Sequence, residues 1–289
     1  MSDNPAAGRR LSRAMKTVPP CDKVPAMRRS FVVTPLGLCL LAAPPALAND
    51  STAEMAAGGI TLLKSDGIAM KSEDLAISID EVRVRYIFRN ETATPITTTV
   101  AFPLPTWEEL DEDEGGPDLP LDMRDKNPMG FKVAVDGKPT RYKTKVQKKG
   151  REVQTTYYWT QTYPPGRDVL VEHRYRPGAG GFITPTNAYP NPALEKELTT
   201  TYCVGPKLLS AIKKRENFAR VVHYVLKSGA NWKGPIGRFK LTLRKGTAKD
   251  KISLCEPDTR KVSPTTFVVE RQDFTPTRDL RILFLPATR

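Results

Sequence analysis

The side chains best suited to chemistry are few, and their spacing says little in favour of catalysis. Only two histidines occur, His173 and His223. His173 alternates with Val169, Val171 and Tyr175 on one face of an expected strand, which points to a hydrogen-bonded core residue rather than a base or ligand. His223 sits between Val221 and Val225 in a similar setting. A metal site using both would need carboxylates from elsewhere, and no ligand spacing supplies them. No metal or cofactor is expected. The sequence holds no Gly-x-Ser-x-Gly elbow and no phosphate-cradling glycine pattern. Gly178-Ala179-Gly180-Gly181 leads to Phe182 and Pro185, not to a helix N-terminus.

Two other clusters have more substance. Glu108, Glu109, Asp111, Glu112, Asp113, Glu114, Asp118, Asp122 and Asp125 fall within eighteen residues. Such a set could give calcium its six to eight oxygens. Gly115, however, stands where a helical calcium loop needs a third oxygen ligand, and charge-dense loops are commonly just solvated. The second cluster is Tyr157-Tyr158-Trp159-Thr160-Gln161-Thr162-Tyr163. In a strand, Tyr157, Trp159 and Tyr163 share a face. Exposed, that face is a stacking platform for sugar rings or a partner's side chains, and it is the candidate ligand surface. Covered, it is the core face of a sandwich.

Compartment governs how the cysteines are read. Met27-Arg28-Arg29 precedes an uncharged, apolar run from Phe31 to Ala43, too short for a stop-transfer span. Pro44-Pro45-Ala46-Leu47-Ala48 follows, with the small-x-small pattern that signal peptidases cut. The expectation is a targeting segment over residues 1–48, cleaved between Ala48 and Asn49. The general secretory route is favoured over a twin-arginine route, and translation could also start at Met15 or Met27. Cys21 and Cys39 fall in this leader, leaving Cys203 and Cys255 as an even pair. In an oxidising compartment they read as a disulfide, since neither has a second Cys or His at zinc spacing.

The elements that must position these residues are mostly strands. Val82, Val84, Tyr86 and Phe88 alternate with Arg83 and Arg85, and Ile96 to Phe102 follows a turn at Asn90–Pro95. Phe131 to Val135 and Thr140 to Val146 flank Asp136-Gly137, a tight-turn pair. Thr155 to Tyr163 and Arg167 to Tyr175 flank Pro164-Pro165-Gly166. Each of these three pairs reads as a hairpin. Further strands are expected near 220–226, 237–243, 251–254, 266–270 and 280–285, and one helix over 206–215. Strands at this spacing predict a mainly β chain, an antiparallel β-sandwich in one or two lobes. The Gly/Pro/Asn-rich stretch from Pro177 to Pro192 divides it into expected lobes at 49–178 and 179–289.

Whole-chain numbers agree. The 289 residues are 39% hydrophobic and 27% charged, a globular composition. The leader carries seven Lys/Arg and two Asp/Glu, leaving +8 of the chain's net +13 for the remainder. That charge suits acidic envelope polymers or phospholipid surfaces, and equally suits plain solubility. No run of five Lys/Arg occurs, so no nucleic acid partner is expected.

Several segments resemble the bacterial family called domain of unknown function 4424: Asn49-Asp50-Ser51-Thr52-Ala53-Glu54, Ser72-Glu73-Asp74-Leu75, Val82-Arg83-Val84-Arg85-Tyr86, Ala101-Phe102-Pro103, Val135-Asp136-Gly137-Lys138-Pro139, Gly229-Ala230-Asn231-Trp232 and Asp273-Phe274-Thr275-Pro276. The resemblance implies an exported envelope protein and no particular activity. Residues 81–176 also resemble, in order of strands and turns alone, the β-sandwich VIT module of extracellular matrix-associated proteins. The resulting expectation is a periplasmic or secreted, non-enzymatic binding or structural module. Its partner would be an envelope polysaccharide or another envelope protein, with membrane contact only during export. The alternatives are a hydrolase of envelope polymers using acidic-loop carboxylates or His173, and a calcium-dependent adhesion module.

Overall fold

The computed structural model of the chain describes residues 51–56, 59–104, 106–108 and 127–287. The expected leader with its Ala48–Asn49 cleavage site, and the acidic cluster beyond Glu108, lie outside these residues. In chain order the strands are β1 (Ser51–Ala56), β2 (Gly59–Leu63), β3 (Ile68–Ile77), β4 (Val82–Asn90), β5 (Ile96–Pro103), β6 (Trp107–Glu108), β7 (Lys132–Val135), β8 (Lys138–Pro139), β9 (Lys143–Lys149), β10 (Glu152–Tyr163), β11 (Asp168–Tyr175) and β12 (Gly180–Ile183). Helices α1 (Pro192–Thr200) and α2 (Pro206–Lys213) come next. They precede β13 (Phe218–Tyr224), β14 (Ile236–Arg244), β15 (Lys251–Ser253), β16 (Arg260–Lys261), β17 (Thr266–Phe274) and β18 (Leu280–Leu285).

Three sheets result. A first sheet runs β2-β1-β5-β10-β6, with β9 also on β10. A central sheet runs β16-β17-β14-β3-β4-β11-β7-β8, and a small sheet runs β12-β13-β18-β15. All strand pairs are antiparallel except β14 on β3. The mainly β, sandwich-like architecture expected from the alternation is what the chain adopts.

Period two decides which face of the central sheet is covered. On β4, Val82, Val84, Tyr86 and Phe88 are buried while Arg83, Arg85 and Arg89 are exposed. Against this inner face pack both other sheets. Phe88 meets Tyr163 of the first sheet at 5.9 Å between ring centroids, and the Tyr86 hydroxyl lies 2.9 Å from that of Tyr224 on the small sheet. Helices α1 and α2 cover the small sheet's other side, where Leu198, Tyr202 and Ile212 pack with Ala219, Leu283 and Leu285. The remaining face of the central sheet meets solvent.

Several expectations change here. The central sheet takes β3, β4, β7, β8 and β11 from before residue 178 and β14, β16 and β17 from after it. The seam is the parallel pair, with Leu241 beside Leu75 and Leu243 beside Ile77. The stretches 49–178 and 179–289 therefore share one sheet and one core. Two of the three expected hairpins are in fact arches between sheets: β4 and β11 are central, while β5 and β10 belong to the first sheet. Asn90 ties both arches together. Its amide donates to the carbonyls of Thr94 and Tyr163, each at 2.8 Å, and its side-chain oxygen accepts from the Thr92 backbone N–H. Of the three expected hairpins, the one at Asp136-Gly137 does close within a sheet, with both residues at positive φ (47° and 75°), and β9 then leaves to pair with β10. Helix α2 falls where expected. Helix α1, just beyond the expected linker, was not anticipated, because it buries Leu198 alone and so shows no apolar stripe. Its start is set by the Asn191 side chain accepting from Leu194 N and by Pro192 in the first turn.

Candidate functional site

Burial decides between the two readings of the aromatic segment. Tyr157, Trp159 and Tyr163 are 0, 4 and 0% exposed. The candidate ligand surface is thus the core face of β10, and the stacking platform is withdrawn. Tyr157 stacks on Phe131 at 4.5 Å, and Trp159 meets the His173 ring edge-on at 5.5 Å. Alternation shows which residues share a face, but whether that face is covered depends on a second sheet. Trp232 is buried too, with its ring 4.4 Å from Phe88.

His173 belongs to the same layer. It is 2% exposed and boxed by Tyr86, Phe102, Phe131 and Trp159, with centroids between 5.0 and 5.5 Å away. Burial in this aromatic box pulls its pKa from 6.5 down to about 3. So weak a base, with its ring enclosed by four aromatic side chains, does not suit general-base work. His223 stands apart on the small sheet, exposed and opposite Arg281 in register. The structure does not place the two histidines in one site.

One buried polar group escaped the sequence reading. Glu73 is 1% exposed, and its Oε1 accepts from the Tyr224 hydroxyl at 3.0 Å. From Ile68 and Met70, strict alternation would turn Ser72 and Asp74 inward. A bulge between Met70 and Ser72 shifts the phase, so Glu73, Leu75 and Ile77 face the core instead. Burial first, and then the Glu73 charge, push the Tyr175 and Tyr224 hydroxyls above the usual phenol range.

The solvent face of the central sheet has two adjacent rows of contrasting design. In one, Glu172, Arg85, Asp74, Lys240 and Glu270 lie opposite one another on successive strands and alternate in sign. Arg85 Nε donates to Glu172 at 2.9 Å. In the other row, Lys132, Arg174 and Arg83 lie directly opposite on β7, β11 and β4, and all are cations. Glu81 accepts from both Arg83 and Arg174. Its carboxyl is held below the usual range, because the upward push of burial is outweighed by those two hydrogen bonds. A depression of about 680 Å³ is lined by these cations and by Ala134, Pro139 and Tyr142; the paired Arg85 and Glu172 of the alternating row border it too, and His173 lies among its lining residues.

A second cavity, about 420 Å³, adjoins Cys255 and is lined by Lys227, Glu256, Arg278, Asp279 and Arg281 among others. Glu256 is already engaged by Arg271 and Arg278, and Asp279 accepts from the backbone N–H groups of Leu226 and Lys227. The Cys203–Cys255 disulfide expected from the sequence is formed, with a Cα–Cα distance of 5.0 Å. Among the described residues no group of three or more His, Cys, Asp or Glu could hold a metal ion.

The profile of a family described as domain of unknown function (DUF4424) matches residues 48–153 and 144–283. The chain belongs to the DUF4424 family. The segments that suggested this membership run through both halves of the DUF4424 fold. No curated protein matches the chain. Among solved structures, this DUF4424 chain is similar to a Legionella pneumophila protein provisionally described as nutrient binding. Identity is 18% and the TM-score 0.49, over 77% of this chain and 68% of that one. It is also similar to yeast LTA4 hydrolase in complex with bestatin (7%, TM-score 0.37, 75% and 28% covered). A third is an M1 zinc metallopeptidase from Deinococcus radiodurans bound to a Tyr-Ser-Ala substrate (12%, TM-score 0.30, 78% and 44% covered). The chain spans less than half the length of the last two structures.

Proposed function

We propose that this DUF4424 protein works outside the cytosol as a non-enzymatic binding or structural module, partnered by an envelope polysaccharide or another envelope protein. The Cys203–Cys255 bond carries this reading. It joins the connector between α1 and α2 to the segment after β15, 52 residues on, and cytosolic thiol pools keep such pairs reduced. The leader over residues 1–48, with its arginine pair, apolar run and small-x-small site, supplies the route. No helix among the described residues is long and apolar enough to cross a membrane. In favour of binding over catalysis, the solvent-facing depression carries four cations against the single carboxylate of Glu172, while His173, though among its lining residues, is 2% exposed and too weakly basic, with a pKa of about 3, to serve well as a base.

Cell fractionation with N-terminal sequencing tests the proposal. The expected result is an extracytoplasmic protein beginning at Asn49, retained by a cell-wall polysaccharide fraction or by an envelope protein. Full-length chain in the cytoplasm with Cys203 and Cys255 both reduced overturns it, as does an absence of retention on every envelope fraction.

A further inference from the structure

We infer that the depression over Lys132, Arg174 and Arg83 is a binding site for an acidic polysaccharide, a chain bearing a carboxylate on each sugar. This deepens the binding role proposed above and rests on it. Like charges directly opposite on neighbouring strands are destabilising, and here three cations line up across β7, β11 and β4. The neighbouring row shows that this same sheet can alternate its signs perfectly well. Glu81 is the carboxylate that bridges two of the three cations, so the row keeps a net positive charge. A bound polyanion would relieve that repulsion.

Geometry narrows the ligand. The three cations span two strand spacings, about 10 Å, so they form a line and do not converge on a point as an inorganic phosphate would require. Guanidinium forks match carboxylates well. The small Ala134, with Pro139 and the half-buried Tyr142, gives the hollow an apolar side against which the carbon face of a sugar can lie. Exposed Lys138 and Arg141 flank Pro139 and Thr140 at its rim. A concave site admits a polymer chain more readily than a flat bilayer, which commits the proposal to the polymer.

The test uses protein recovered from fractionated cells, with compartment and thiol state recorded first. It is titrated with alginate oligosaccharides, with dextran as neutral polymer, and with phosphatidylglycerol vesicles. The expected result is alginate binding that weakens with added salt, with neither dextran nor vesicles bound. The double variant Arg83→Gln/Arg174→Gln should weaken it at least about tenfold without lowering the melting temperature. Glu81→Gln removes the countercharge and should tighten binding, whereas Lys240→Gln in the alternating row should leave it unchanged. Absence of alginate binding, equal binding of dextran, preference for vesicles, or insensitivity to the arginine pair overturns the inference. An extracytoplasmic, oxidised protein that ignores alginate defeats this inference alone. A cytosolic, reduced protein that binds alginate defeats the proposed compartment alone.

Discussion

The Tyr224 hydroxyl donates to the Glu73 carboxylate at 3.0 Å, across the junction between the small and central sheets, and the Tyr86 hydroxyl lies 2.9 Å from the same Tyr224 oxygen. The contact ties the two sheets together, because a buried carboxyl group left without its hydrogen-bond partner is costly. Tyr224→Phe keeps the ring and removes the donor. The expected loss is about 1–3 kcal/mol, read as a lower urea midpoint at unchanged slope. A shift within error would show that this hydrogen bond does not hold the sheets.

Asn90 should be the most sensitive polar residue of the arches. It is buried, it donates to two carbonyls, and it accepts from both the backbone and the side chain of Thr92. Its own carbonyl accepts from Gly166 N at 2.8 Å, linking the second arch. Asn90→Ala strips four of these bonds at once, for an expected loss of roughly 3 kcal/mol. Asn90→Asp should be milder in volume but loses both amide donations. Thermal denaturation of the two variants checks the order, with both below wild type.

The disulfide closes a separation of 52 residues, for which the chain-entropy account gives about 4 kcal/mol before any strain is subtracted. Denatured, unreduced protein should show no thiol titre from Cys203 or Cys255. Reduction, or the pair Cys203→Ser/Cys255→Ser, should lower the melting temperature. An unchanged melting temperature after complete reduction would contradict the stapling role.

His173 predicts part of the acid sensitivity. The folded chain keeps it neutral down to about pH 3, while the unfolded chain protonates it near 6.5. Between those values the unfolded state binds more protons, so this contribution is fully present above 6.5 and is lost as pH falls. For one such group the slope is at most about 1.4 kcal/mol per pH unit. His173→Phe fills the aromatic box with a ring that cannot titrate. Its stability should therefore fall less steeply than wild type between about pH 6 and pH 4, inside the interval that the two pKa values bound. Parallel slopes would remove His173 from the account.

Much of the local structure was legible in the residues themselves. Alternation of Val82, Val84, Tyr86 and Phe88 with arginines marked β4 and its two faces, Leu280–Leu285 appeared as a strand with its observed bounds, and Asp136-Gly137 marked a tight hairpin. The even pair Cys203 and Cys255 foretold the bond. The cationic row stayed hidden for a simple reason. Lys132, Arg174 and Arg83 are spread over three strands and never form a run along the chain, so only strand pairing makes them neighbours.

By itself, then, the sequence determined the mainly β class, most strand positions, the cysteine pairing and membership of the family, because periodicity, turn chemistry and residue counts are local or additive properties. Tertiary structure alone decided that Asn90–Pro95 and Pro164–Gly166 join different sheets, that Tyr157, Trp159 and Tyr163 face inward, and that Glu73 rather than Asp74 enters the core. Each of those outcomes depends on which distant strand lies alongside or above a given segment. A strand followed by a turn and another strand has the same composition whether it folds back in its own sheet or crosses to the next, so only the packing of the layers can separate the two.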